Sequence, residues 1–225
     1  MTLFKRTLHW TAAIALAGTL SAAVIAPSSA TAAERDSFKL AWTIYAGWMP
    51  WKYADESGIM DKWAKKYDID VEIPQINDYI ESIHQFTAGQ YDAVTLTSMD
   101  ALSIPAAGGV DSTALLIGDY SNGNDGLVMK DPEGGVASLK GQTINLVELS
   151  VSHYLLARAL EEQGLSERDV SIVNTSDADI VAAFGSDDVR NIVTWNPLLT
   201  EAAATPGAEI VFDSSQIPGH IKDLT

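Results

Sequence analysis

The 225-residue sequence contains no cysteine, which excludes disulfides and thiolate metal sites and leaves burial alone to hold the chain together. Positive charge is scarce: 14 Lys and Arg stand against 30 Asp and Glu, a formal net charge of −16. That balance disfavours nucleic acid and anionic membrane as partners, and an acidic surface also serves solubility. Beyond residue 33 the only histidines are His84, His153 and His220, none at ligand spacing to another, so no metal is expected. Nucleophile-elbow, P-loop and Rossmann glycine patterns are missing as well, which leaves an enzyme reading little to stand on and implies no cofactor. Internal repeats are also absent.

What is present begins with a three-part leader. Lys5 and Arg6 form a basic start, residues 8–26 an Ala-rich apolar run, and Ala30-Thr31-Ala32 a small-residue cleavage pattern. Residues 1–33 therefore read as a secretory signal cleaved after Ala32 or Ala33. The apolar run is broken by small and hydroxyl residues and is short for a membrane span. Removing Lys5 and Arg6 takes the net charge from −16 to −18. With no cysteine to carry a lipid anchor, a free periplasmic protein of a Gram-negative cell is the simplest expectation.

From residue 38 onward the apolar period switches repeatedly between strand-like and helix-like, the pattern of parallel βα units. Strands are expected at 38–44, 69–73, 93–96, 113–117, 142–147, 169–173, 191–194 and 209–212. Helices are expected at 51–67, 78–88, 151–163, 178–184 and 196–204, with a further helix opened by Thr97-Ser98-Met99-Asp100. On the 51–67 helix, Ile59, Met60 and Trp63 would face inward and Lys62, Lys65 and Lys66 outward. Between two blocks of similar size lies DYSNGNDG (119–126), rich in turn formers and read as a loop or hinge. It is no calcium loop, because Lys130 stands where a bidentate Glu is needed. Asp68, Asp70 and Glu72 read as the solvated face of an edge strand.

Ligands of open α/β sheets bind beyond the carboxyl ends of the strands. The run AWTIYAGWMPW (41–51) puts Trp42, Tyr45, Trp48 and Trp51 at the first such end, where each tryptophan could face a ligand or cap the core. Thr97 and Ser98 occupy another. Glu148, Ser150, Ser152 and His153 follow a strand and open a helix, where the serines could cap it or its N–H groups could hold a ligand oxygen. Trp195-Asn196-Pro197 stands at a fourth. Convergence of these ends on one cleft is the expectation, and none of the named positions is Lys or Arg.

Four stretches carry a family resemblance: FTAGQYDAVTLTSMDAL (86–102), DYSNGNDGLVMKDP (119–132), LKGQTINLVELSVSHYLLARAL (139–160) and VTWNPLL (193–199). With them the chain resembles the solute-binding proteins of ABC importers of the nitrate, sulfonate and taurine class. Within that class it is most similar to a subgroup linked to urea carboxylase regions and urea- or guanidine-like compounds, a likeness to which Asn196 contributes. The resemblance implies an α/β, two-lobe periplasmic binding protein fold (type II), each lobe a mostly parallel sheet flanked by helices. Lobe 1 would be 34–118, lobe 2 119–212, and 213–225 the crossover back to lobe 1. Members of the class run longer, so the remainder of lobe 1 is expected to be missing.

The resemblance also implies a wall of Trp42, Tyr45, Trp48, Trp51, Thr97 and Ser98 facing Asp119, Asn122, Asp125, Glu148, Ser150, Ser152, His153 and Trp195. Such a monomer would trap a small solute between its lobes and pass it to an inner-membrane permease and its ATPase. Carboxylates and tryptophan faces suit a planar N–H-rich solute, guanidine- or urea-like; a sulfonate, taurine or nitrate anion is the alternative. An enzyme or a sensor on the same two-lobe fold is the rival from another class.

Overall fold

The computed structural model describes residues 35–225, so the expected signal segment lies outside the described residues. Among the described residues no helix is long and apolar enough to cross a membrane. Strand β1 (Ser37–Ala41) pairs in parallel with β2 (Asp70–Glu72) and β3 (Ala93–Val94), Ser37 opposite Asp70 and Leu40 opposite Ala93. Helices α1 (Met49–Glu56), α2 (Ile59–Tyr67) and α3 (Tyr79–Thr87) connect them. Asp78 caps α3 by accepting from the Glu81 N–H at 2.9 Å, as an Asp just before an apolar helical run should. Strand β4 (Leu96–Thr97) leads into α4 (Ser98–Ala101), capped by the Thr97 hydroxyl. Strand β5 (Ile117–Tyr120) follows, and the last strand, β11 (Lys222–Leu224), inserts antiparallel between β4 and β5.

The second block is one five-stranded sheet. It contains β6 (Asp125–Lys130), β7 (Thr143–Leu146), β8 (Ser171–Asn174), β9 (Asn191–Trp195) and β10 (Ala208–Asp213), ordered β10-β6-β9-β7-β8. Its helices are α5 (Val151–Glu162), α6 (Ile180–Phe184) and α7 (Leu198–Ala203). Side chains alternate across the sheet, as a period of two requires. Leu127, Met129 and Val193 join the main core with Leu155 and Leu156 of α5, whereas Val128 and Ile192 pack with Ile180, Phe184 and Leu199 of α6 and α7.

Several expectations are corrected. The single helix expected at 51–67 is two, because Gly58 turns the chain at φ 72°. Ile59 and Trp63 are not inward; they are 43% and 42% exposed, and Trp63 stacks on Tyr67 with the Lys66 ammonium 4.5 Å from its ring centroid. That cation–π contact supplies at the surface what burial was expected to supply. The strand expected at 93–96 is two short strands in different sheets, turned at buried Thr95. The buried strand expected at 113–117 is instead the exposed edge strand β5, preceded by Leu115 and Leu116 hydrogen-bonded to the Thr225 carbonyl. DYSNGNDG shrinks to a turn at 121–124 between β5 and β6. The βα units pair in parallel as expected, in β2-β1-β3 and β9-β7-β8, while β6, β10 and β11, which carry the chain between the blocks, pair antiparallel. The two crossings are tied at Ser214, whose Oγ accepts from Gly123 N–H at 2.8 Å and lies 2.7 Å from Ser121 Oγ.

Candidate functional site

Four aromatic rings meet where the two blocks face each other. Tyr45 and Trp48 lie on the turn after β1, Trp48 taking the N-cap position of α1; Tyr79 starts α3, and Trp195 ends β9. Trp48 stacks on Tyr79 at 5.5 Å between centroids, Tyr45 tilts against Trp48 at 4.8 Å, and Trp195 meets Tyr79 edge-on at 5.4 Å. The Trp195 indole N–H donates to the Ile44 carbonyl at 2.9 Å, and Ala46 N–H donates to the Asn196 carbonyl, so β9 is pinned to the Tyr45 turn. On the far side Tyr79 N–H donates to Asp177 Oδ1 at 3.1 Å and Ser176 Oγ to Asp78 Oδ2 at 3.0 Å.

Between the rings is a narrow cavity of about 10 Å³, room for about one water molecule, lined by Tyr45, Trp48, Tyr79, Thr97, Asp125, Val151, Trp195 and Asp223. Its charged groups are all acids. Asp223, on β11, accepts from the Tyr45 hydroxyl at 3.0 Å and shares a hydrogen bond with Asp119 of β5. Burial, then the Asp119 bond and the Asp119 and Asp125 charges, push its carboxyl up to about 9. Asp125, at the start of β6, is held by the Ser121 hydroxyl, yet burial still lifts it to about 7. Asp100 of α4 accepts from the Tyr79 hydroxyl at 2.5 Å and from Thr97 Oγ1 at 2.9 Å. Burial raises Asp100 to about 6 against the pull of those donors. The Trp48 indole N–H and Asp119 Oδ1 are buried without a partner. No Lys or Arg lines this cavity.

The named candidates divide as follows. Tyr45, Trp48, Thr97, Asp125 and Trp195 line the cavity, and Asp119 stands behind it against Asp223. Trp42 is buried in the core, its backbone paired with Pro74 and Ile76. Trp51 turns away, its indole N–H reaching Thr225 Oγ1 at 3.2 Å. Ser98 faces a separate, larger groove formed with Leu102 and Leu115. Asn122 and Glu148 are exposed, Glu148 because Asn174 Oδ1 holds its backbone N–H at 2.9 Å and leaves the side chain to solvent. Ser150 spends its hydroxyl capping α5, Ser152 is buried with an unpartnered hydroxyl, and His153 sits between the Leu149 N–H and Glu167. Asn196, in turn, caps α7 through Thr200.

Sequence reasoning missed Tyr79, Asp100, Val151 and Asp223. Asp100 carried a legible signal, since a Thr three residues earlier marks it as the end of a capping turn. Asp223 carried none, because nothing local says that β11 slots between β4 and β5.

A family model described as NMT1/THI5 like matches residues 61–216. The sequence is 26% identical over 165 residues to the taurine-binding periplasmic protein of Escherichia coli strain K12, covering 73% of this chain and 48% of that protein. The chain thus spans about half the length of that relative. Over 82 residues, 36% of this chain and 26% of the other, it is 33% identical to a putative aliphatic sulfonates-binding protein of the same organism. Among solved structures, the alkanesulfonate-binding protein of Xanthomonas axonopodis pv. citri, bound to MOPS, superposes with TM-score 0.71 at 20% identity, over 86% of this chain and 66% of that one. The nitrate-binding protein of Synechocystis PCC 6803 gives 0.68 at 12% identity over 85% and 55%. These likenesses show the α/β fold of periplasmic binding proteins, and the relatives are named as binders rather than enzymes.

Proposed function

Because this chain belongs to the NMT1/THI5-like family, we propose that it captures a small nitrogen-rich solute, guanidine- or urea-like, in the periplasm for an ABC permease and its ATPase. The observation that carries the solute class is the cavity of four aromatic rings with Asp125 and Asp223 on its wall, Asp119 behind them and no basic residue to neutralise them. Once opening of the cleft parts the rings that pack on Trp48, a guanidinium ion would supply N–H donors to those carboxylates and a flat face to Trp48, worth on the order of 1–2 kcal/mol per favourable stack. Urea would instead offer its carbonyl to the unpartnered Trp48 indole N–H. Residues 1–33 would be the signal, 34–118 and 119–212 the two lobes, and 213–225 the crossover; closure of the lobes would bury the solute. The second reading, a taurine- or sulfonate-type ligand, is favoured by what the relatives are named for.

A thermal-shift panel tests this with guanidine, urea, arginine, taurine and nitrate at millimolar concentration. A solute at 100 times its dissociation constant adds roughly 2.7 kcal/mol, a rise of several degrees. Guanidine or urea should raise the midpoint; a rise with taurine or nitrate alone refutes the proposed solute class.

Gly47 gives a sharper check. A methyl group there would overlap the Asp119 carboxylate and the Tyr45 ring. Gly47→Ala should therefore push Asp119 off Asp223 and cut guanidinium affinity by roughly tenfold, the worth of one charge-assisted hydrogen bond, in calorimetric titration. Unchanged affinity would remove the acid cluster from the site.

A further inference from the structure

We propose that Ser176 and Asp177, paired with Asp78 and Tyr79, form the latch of the cleft and set how fast a solute enters and leaves it. The inference rests on the reading above, since it takes the aromatic cavity as the solute site. That cavity has room for about one water molecule, so nothing larger passes between the rings until the two blocks part. What holds the blocks together, apart from the two crossings, is a short set of bonds. Among the described residues the hydrogen bonds that join the blocks away from the crossings lie in two places. At the end of β9 the Trp195 indole N–H donates to the Ile44 carbonyl at 2.9 Å and the Ala46 N–H to the Asn196 carbonyl at 2.9 Å. Beyond β8 the Tyr79 N–H donates to Asp177 Oδ1 at 3.1 Å and Ser176 Oγ to Asp78 Oδ2 at 3.0 Å.

The pair beyond β8 has the leverage. In the second block both crossings leave from one edge of the sheet, through β6 and β10, and Ser176 and Asp177 follow β8 at the other edge. Strand β8 stands three strand spacings from β6, about 14 Å, whereas β9 stands one spacing away. A rotation of one block about the crossings therefore moves residues 176–177 about three times as far as residues 195–196, and a bond at the far edge opposes that rotation most strongly. The two latch bonds are also reciprocal: each block supplies one donor and one carboxylate, so both bonds are charge-assisted. Neither carboxylate is free to turn away, because Asp177 is buried and Asp78 also accepts the Glu81 N–H that it caps. Ser176 is positioned by accepting the Ala178 N–H at 3.3 Å. Such a latch holds the blocks together with or without a solute inside. Its loss raises the share of time the cleft is open, which speeds entry and exit alike and leaves their ratio nearly unchanged.

Hydrogen exchange of the Trp195 indole N–H, followed by NMR on the full chain, reads the parting of the blocks without any solute, since that group is bonded across the cleft. In Ser176→Ala and in Asp177→Ala its exchange should rise at least threefold. The backbone N–H groups of Leu155 and Leu156, buried in the core, should keep their rates and so report an intact fold. Asp177→Asn retains an oxygen that accepts the Tyr79 N–H and should stay near the original chain. Stopped-flow tryptophan fluorescence with guanidinium chloride and with taurine supplies the second readout: in the alanine variants the on and off rates should rise by a similar factor of at least three, with Kd moved less than twofold. Unchanged indole exchange in both alanine variants, or a Kd that worsens with no gain in on rate, overturns the latch and leaves the four residues a packing contact. Faster indole exchange in a chain that responds to neither guanidinium nor taurine supports the latch and overturns the solute reading instead.

Discussion

Replacing Trp48 by alanine is expected to lower guanidinium affinity by about two orders of magnitude and the thermal midpoint by roughly 10 °C. Trp48 is 3% exposed and touches two of the other three rings, stacking on Tyr79 and tilting against Tyr45. Truncating a buried aromatic of that size costs about 3–5 kcal/mol, and each kcal/mol is worth roughly 2–4 °C in a domain of this length. The affinity loss has a separate origin, since alanine offers no π face to a cation and lets water reach Asp125 and Asp223. Trp48→Phe distinguishes the two contributions. It keeps a ring against Tyr79 and should recover most of the stability, while losing the unpartnered indole N–H. Calorimetric titration and thermal denaturation of both variants check this; full affinity in Trp48→Ala would make the ring a packing residue and move the solute elsewhere.

The stability of the unliganded chain should fall steadily as pH rises from about 5 to 9, the reverse of ordinary acid denaturation. Burial moves Asp125 from 3.8 to about 7 and Asp223 from 3.8 to about 9, while in the unfolded chain both titrate near 4. Between those limits the folded protein holds protons that the unfolded chain has released, so raising the pH favours unfolding. The contribution is fully present below pH 4 and is lost through pH 7 and then pH 9. A few kcal/mol are at stake, roughly 10 °C in the midpoint. Guanidinium should flatten the profile, because a bound cation takes the place of the protons, and Asp223→Asn should flatten it without any solute. Thermal melts at pH 5, 7 and 9, with and without guanidinium chloride at fixed ionic strength, decide the matter. A midpoint that climbs with pH would mean these carboxyls are ionised and compensated in the fold.

The sequence made the α/β order legible because its signals were local. Asp78 and Gly89 bracket α3, Thr97 opens α4, and Ser150 and Gly164 bracket α5, each through a cap or turn that depends on neighbouring residues only. Of the eight residues lining the candidate cavity, five were named from the sequence. Tyr45, Trp48, Thr97, Asp125 and Trp195 stand near strand ends, where topology alone places ligands. What remained hidden was set by long-range pairing. Asp223 reaches Tyr45 across 178 positions of sequence, and no periodicity encodes such a contact. Trp51 and Glu148 were misplaced for a related reason, since the direction of a side chain at a strand end depends on partners such as Thr225 and Asn174 that arrive from elsewhere.

The edge formed by β5 bears on how this protein behaves in a tube. Leu115, Leu116 and Ile117 are 69%, 53% and 58% exposed beside an outermost strand, a sticky rim that adheres at short range to any similar rim it meets. What keeps two molecules apart is the long-range repulsion of a strongly acidic surface, and that repulsion reaches only about 8 Å at physiological ionic strength. Colloidal stability is therefore a contest between a screened charge and an unscreened adhesion, and added salt tips it toward self-association although no fold has come undone.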